Sequence, residues 1–238
     1  MEEGGRAMKR IITLDIETVS DPTTEYSAYE QLILDKWQGK VEDFQTKKEA
    51  GETRKYARAP EKPTLKSEEP GLHWLTGKIC CIGICDLGTL RDDGKPKFIA
   101  ATGKDERKIL KKFQATLSEI DPTTFVTFNG LTFDMPFLIH RVERYDEFSE
   151  IMNRLPSLNK YDRRHIDIYD RTGGRWSINA KLQEYAIHYG FNYPLELDAS
   201  MTQDLYDADK LKEIEKKCKY DNWVTAALYG KLAGVLEK

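Results

Sequence analysis

The sequence predicts an α/β domain: a mixed β-sheet flanked by helices, with a helical and loop insertion after the first strand. Three observations predict it. A short apolar run, Ile11–Glu17, has the pattern of a strand buried within a sheet. A second β pattern fills residues 78–101. From there to the end, helix and strand signals alternate and then give way to helices alone. A chain of 238 residues is long enough for one sizeable core, so a single domain over 10–238 is the expectation, with residues 1–9 as a disordered tail.

In the first strand, side chains alternate between faces, with Ile12, Leu14 and Ile16 on one and Thr13, Asp15 and Glu17 on the other. The insertion, about 18–75, starts helical: Tyr29, Ile33, Trp37, Val41 and Phe44 recur at spacings of three to four. Its second half, Lys47 to Lys66, carries Lys47, Lys48, Arg54, Lys55, Arg58, Lys62 and Lys66 with Tyr56 among them. That mixture suits a loop tracking a phosphate backbone, although Glu49, Glu52 and Glu61 also make it an ordinary solvated segment. Residues 78–85 and 97–101 form a hairpin around an Asp-Asp-Gly-Lys turn. An amphipathic helix over 105–120 stops at Asp121-Pro122, and a buried strand over 124–128 ends at Asn129-Gly130. A helix starts near Asp134, a short strand covers His165–Asp170, and a helix over 178–189 has Ser177 as its N-cap and Gly190 as its stop. The last helix spans roughly 210–235.

Composition is globular, at 39% hydrophobic and 32% charged residues. The net charge of -3 argues against a surface that is wholly a polyanion clamp. A carboxylate-rich metal site with a local basic patch remains compatible with that charge. Cys80, Cys81 and Cys85 crowd one strand and Cys218 sits on a helix, without zinc-ligand spacing. They read as buried thiols of a reducing cytosol. The N-terminus lacks the apolar core of a signal peptide and no stretch reaches transmembrane length, so the expectation is a soluble, cytoplasmic protein that does not meet a membrane.

The chemistry lies in the acids. Asp15 and Glu17 share one face of a strand, where they repel each other and resist ionisation unless a cation sits between them. A strand running out into solvent accounts for the pair equally well. Asp134 follows a buried strand at the rim of the sheet, where ligands of open α/β folds collect, but an ordinary helix N-cap also explains it. Asp221 falls within the stripe Ile214, Cys218, Asp221, Thr225 and Leu228, the face of the last helix that should pack on the sheet. A lone buried carboxylate needs a partner, and a metal ion is one that all four acids share. An oxygen-rich set of this kind suits Mg²⁺ or Mn²⁺ rather than zinc, and points to phosphodiester hydrolysis with two divalent metal ions.

Asp15-Ile16-Glu17, Asn129-Gly130-Leu131-Thr132-Phe133-Asp134 and the late Asp221 resemble the three motifs of the DEDD (DnaQ-like) 3′–5′ exonucleases, which have a ribonuclease H-like fold. The resemblance is greatest to stand-alone exonucleases related to the proofreading domain of family B DNA polymerases, and His165-Ile166-Asp167 matches a His-x-Asp strand of that group. It implies that Asp15, Glu17 and Asp221 hold a catalytic metal, that Asp15 bridges to a second, and that Asp134 supports the second through water. It further implies release of nucleoside 5′-monophosphates from single-stranded DNA or frayed 3′ ends, with Thr18, Asn129 and Phe133 as candidate contacts to the substrate. RNA is not separated from DNA by these motifs.

One position departs from the pattern. The tyrosine subclass places Tyr four residues before the last Asp, and the histidine subclass places His five before. Here these positions are Lys217 and Lys216. Lys217 lies one turn from Asp221, where it has three options: to hold the scissile phosphate, to position the attacking water, or to pair with Asp221 in competition with a metal. Neighbouring carboxylates should keep it charged, which disfavours it as a base. The alternatives are therefore a binding protein of the same fold with little catalysis, or an exoribonuclease.

Overall fold

The computed structural model describes residues 10–21, 27–52, 58–61, 70–174, 180–194 and 199–236. The expected N-terminal tail, Ser177, and the basic-loop residues Arg54, Lys55, Tyr56, Lys62 and Lys66 lie outside them. The chain divides into two compact units. One combines Met1–Val19 with Lys78–Lys238, and the other is Ser20–Gly77.

The smaller unit contains helix α1 (Ser27–Glu49). Trp37, Val41 and Phe44, members of its apolar stripe, are each only half-buried. The Trp37 indole N–H donates to the Pro60 carbonyl at 3.2 Å, tying the helix to the segment that follows it.

The larger unit is built on a five-stranded mixed sheet of order β3-β2-β1-β4-β5. Its strands are β1 (Ile11–Ser20), β2 (Gly77–Leu90), β3 (Pro96–Thr102), β4 (Thr124–Thr127) and β5 (His165–Asp167). β2 and β3 form the antiparallel hairpin that the sequence suggests, while β4 runs parallel to both β1 and β5. β1 is the central strand, and its apolar side chains are buried: Ile12, Leu14, Ile16 and Val19 are all at most 4% exposed.

β1 is longer than expected, continuing to Ser20, so Asp15 and Glu17 lie inside the strand rather than at its end. On the β4 side, pairing stops at Thr13↔Val126. Both acids therefore sit where β1 has lost its neighbour on one edge.

Helix α2 (Glu106–Ile120) buries Ile109, Leu110, Phe113, Leu117 and Ile120. The Asp105 carboxylate caps its first turn by accepting from Lys108 N, and Asp121, left-handed at φ 49°, ends it. Helices α3 (Asp134–Val142) and α4 (Ser149–Arg154) follow β4. The expected strand over 165–170 stops at Asp167. The Asp167 carboxylate accepts from Asp170 N at 3.3 Å and starts the short helix α5 (Ile168–Arg171) instead.

In helix α6 (Leu182–His188), Glu184 Oε2 reaches back to Lys181 N at 2.6 Å and fixes the first turn; residues 178 and 179, where the expected helix begins, lie outside the described residues. Gly190 then adopts φ +76°, as a helix stop requires. Helix α7 (Thr202–Asp207) leads into the long terminal helix α8 (Leu211–Leu236). The face Ile214, Cys218, Asp221, Thr225 and Leu228 is buried along its length. None of the described helices is long and apolar enough to cross a membrane.

α8 lies close to the sheet because β2 presents a glycine to it. A Cβ on Gly83 would fall 2.5 Å from Cys218 Sγ and 2.7 Å from Asn222 Nδ2. Asn222 also accepts a hydrogen bond from Thr13 Oγ1 at 2.6 Å. The Thr13–Asp15–Glu17 face of β1 is thereby laid along the Asn222–Cys218–Lys217 face of α8.

Candidate active site

The acids arrive on three different elements. Asp15 and Glu17 are on the β1 face covered by α8, as strand alternation requires. Asp134 arrives because the chain turns sharply after β4. Asn129 takes a left-handed conformation at φ 63°, and Gly130 has no space for a Cβ, which would sit 2.4 Å from Thr127 Oγ1. Asp167 pins this turn, accepting from Asn129 N and Leu131 N, both at 2.9 Å. Its strand neighbour His165 meets Thr127 Oγ1 at 2.8 Å beneath the turn.

The turn delivers Asp134 to the open edge of β1, where its Oδ1 accepts from Ile16 N at 3.0 Å. A carboxylate thus takes the hydrogen bond that another strand would have taken. Asp134 is not the helix cap allowed by the sequence, since that position belongs to Phe133.

α8 supplies Asp221 and Lys217. The Lys217 ammonium lies 2.6 Å from Glu17 Oε1 and 2.9 Å from Asp221 Oδ2, with all three residues buried. The remaining oxygens of both acids are also satisfied. Thr202, the first residue of α7, donates to Glu17 Oε2 at 3.0 Å, and the Tyr193 hydroxyl donates to Asp221 Oδ1 at 2.5 Å. Asp15 differs: its Oδ2 is buried and has no hydrogen-bond partner among the described residues.

Burial, and then Asp221, Glu17 and Asp134, push the Asp15 carboxyl well above the usual carboxylate range. Burial raises Glu17 as well, against the pull of Lys217, and lifts Asp134 to about 7. Burial alone would lower the Lys217 ammonium, but Glu17, Asp221 and Asp15 outweigh it and hold it above the ordinary lysine value. Lys217 is therefore a fixed cation. Of its three sequence-level options, the structure shows pairing with Asp221, and adds Glu17.

The donor chemistry suits a hard cation. Ligand atoms of Asp15, Glu17 and Cys218 lie within 4.8 Å of one another, but burial raises the Cys218 thiol far above its ordinary value and keeps it protonated. Its Sγ–H instead points to the Asp15 carbonyl at 3.6 Å. That leaves oxygens alone to serve a metal, with the unpartnered Asp15 Oδ2 foremost.

The other sequence candidates surround this group. Asn129 is half-buried, and its Oδ1 accepts from the Thr132 hydroxyl at 2.5 Å. Phe133 is half-buried beside Phe137, with ring centroids 5.6 Å apart. Thr18, also half-buried, belongs by alternation to the face of β1 opposite Glu17. Lys216 is turned away to Glu213 at 3.9 Å, and Tyr220 packs edge-on against Trp223.

Sequence reasoning missed Tyr193 and Thr202. Tyr193 is 28 residues from the acid it touches and Thr202 is 185 from Glu17, so neither helical nor strand spacing signals them.

Residues 76–237 match a family described as a predicted 3′–5′ exonuclease related to the exonuclease domain of PolB. The match includes Asp134, Lys217 and Asp221, while Asp15 and Glu17 precede it. A DNA polymerase of Pyrococcus glycovorans is 32% identical over 75 residues, covering 27% of this chain. The chain spans about a tenth of the length of that curated relative, the match covering 10% of it. The family B DNA polymerase of the hyperthermophilic archaeon Pyrobaculum calidifontis superposes on 98% of this chain and 25% of its own, with a TM-score of 0.57 at 17% identity. That likeness is one of fold.

Proposed function

The chain belongs to the family of predicted 3′–5′ exonucleases related to the exonuclease domain of PolB, and on that premise we propose that it is a metal-dependent 3′–5′ exonuclease. Its substrate in this reading is single-stranded DNA or a frayed 3′ end, and its products are nucleoside 5′-monophosphates. The observation that carries the proposal is the unpartnered, buried Asp15 Oδ2 among three further carboxylates. Such a group is costly to a protein that only folds, and useful to one that binds a cation.

The candidates to hold Mg²⁺ or Mn²⁺ are Asp15, Glu17, Asp134 and Asp221, of which Glu17 and Asp221 are already bridged by Lys217. When bound, divalent ions of this kind sharpen an attacking water and stabilise a leaving 3′-oxygen. The rest of the work falls to the chain. Thr202 and Tyr193 fix the rotamers of Glu17 and Asp221, and the Asp167-pinned turn holds Asp134 on the strand edge. Lys217 keeps positive charge at the place where negative charge grows during phosphodiester cleavage. Phe133 and Asn129, at the mouth of the turn, would meet the terminal nucleotide by stacking and hydrogen bonding. The four free, buried cysteines, Cys80, Cys81, Cys85 and Cys218, suit a cytoplasmic setting.

The pairing of Lys217 with Glu17 and Asp221 favours a second reading, a nucleic-acid-binding protein with a disarmed site. One experiment separates the two. A 5′-labelled single-stranded DNA is incubated with Mg²⁺, Mn²⁺ or EDTA and with the natural protein, Asp15→Ala or Lys217→Tyr. The exonuclease reading expects metal-dependent shortening from the 3′ end that Asp15→Ala abolishes. Cutting by Lys217→Tyr alone would establish the disarmed site, and cutting of labelled RNA but not DNA would reassign the substrate.

A further inference from the structure

We propose that the Lys217 ammonium permanently takes the place of one of the two divalent ions, so that this chain binds a single metal ion, on Asp15 and Asp134. The inference rests on the exonuclease reading and deepens it. A divalent ion in a carboxylate site holds acids together that would otherwise repel; here Lys217 does so for Glu17 and Asp221, at 2.6 and 2.9 Å. With Thr202 and Tyr193 bound to the other two oxygens, every carboxylate oxygen of this pair already accepts a hydrogen bond from the protein. A cation placed between Glu17 and Asp221 would collide with Nζ, and expelling Nζ would strand a buried ammonium.

On the other side of the cluster the situation is reversed. Among the described residues Asp15 Oδ2 has no donor, and Asp134 is anchored to the same stretch of β1, its Oδ1 accepting at 3.0 Å from the N–H of Ile16, the residue after Asp15. A pair of carboxylates completed by water and substrate phosphate is the usual provision for Mg²⁺. The lysine is thus an internal cation next to a one-ion site. It occupies the position from which the family pattern would present a tyrosine.

The test counts bound Mn²⁺ directly. The full chain, with saturating thymidine 5′-monophosphate to complete the metal shell, is titrated with Mn²⁺ while the free ion is followed by its paramagnetic resonance signal. The expected count is one ion per chain for the natural protein, two for Lys217→Met, and none for Asp15→Asn. Lys217→Tyr, which restores the family residue, serves as a second variant should the methionine protein fail to fold, and should also bind two. Two ions on the natural protein would overturn the proposal, as would one ion on both the natural protein and a folded Lys217 variant. The readout is independent of turnover. One bound ion without cleavage of DNA or RNA would sink the exonuclease reading alone, and two with cleavage would sink this inference alone.

Discussion

Glu106 and Asp15 are both acidic residues of the larger unit, and they meet opposite treatment. Glu106, at the start of α2, accepts from Ile79 N at 2.8 Å, from the Tyr145 hydroxyl at 3.0 Å, and from Arg141 through Nε at 2.9 Å and Nη2 at 2.6 Å. Arg141 is 2% exposed, so the pair is a buried fork that fastens α2, α3 and β2 together. Asp15 has an oxygen with no donor and three acids raising its pKa. The difference teaches how to tell a structural charge from a functional one. The first cluster is complete within the protein, whereas the second, in the function proposed above, is completed by a bound cation.

The largest expected effect is on activity. Asp15→Asn should lower hydrolysis by about 10³-fold or more while leaving urea stability unchanged or raised, because it removes a repelling charge. A loss of stability instead would make Asp15 a second Glu106. The mirror experiment is Arg141→Met, which strands Glu106 and should cost about 3–5 kcal/mol in urea unfolding, far more than any Asp15 variant.

His165 offers a third kind of buried group, one kept neutral. Burial lowers it to about 4 from an ordinary 6.5, so the unfolded chain binds the extra proton between those values. Stability should therefore fall as pH drops from about 6.5 to about 4, by about 3 kcal/mol in total, and level off below. His165→Gln should flatten that part of the stability profile.

The smallest effect belongs to the surface that aligns both partners. Gly83→Ala would push α8 off β2 at Cys218 and Asn222 and should cost about 1–3 kcal/mol. Activity should fall with it, since Asp221 and Lys217 ride on the displaced helix. Unchanged activity in a destabilised Gly83→Ala protein would mean that the site tolerates movement of α8.

Much of this was legible before any coordinates. The buried stripe of α8 appears at the spacing read from Ile214, Cys218, Asp221, Thr225 and Leu228, because packing against a sheet selects one helical face. The β2–β3 hairpin and the α2 boundaries follow from turn and cap residues that act locally. The errors have two sources. The continuation of β1 to Ser20 is not marked by the local apolar pattern, and at Asp167 a side-chain cap on Asp170 N three residues on outweighs the strand alternation and turns the chain into α5.

By itself, the sequence determined the α/β class, the face of β1 that carries Asp15 and Glu17, and the position of Lys217 one turn from Asp221. Those are consequences of strand and helix periods, which each segment holds alone. The tertiary structure alone decided that Asp134 would cap the edge of β1, that Tyr193 and Thr202 would complete Asp221 and Glu17, and that Lys217 would bridge two acids while Asp15 kept an oxygen unpartnered. The physical reason is that hydrogen-bond completion is settled among groups brought together by packing across as many as 200 residues of chain, and no period within a segment records which donor will reach which acceptor.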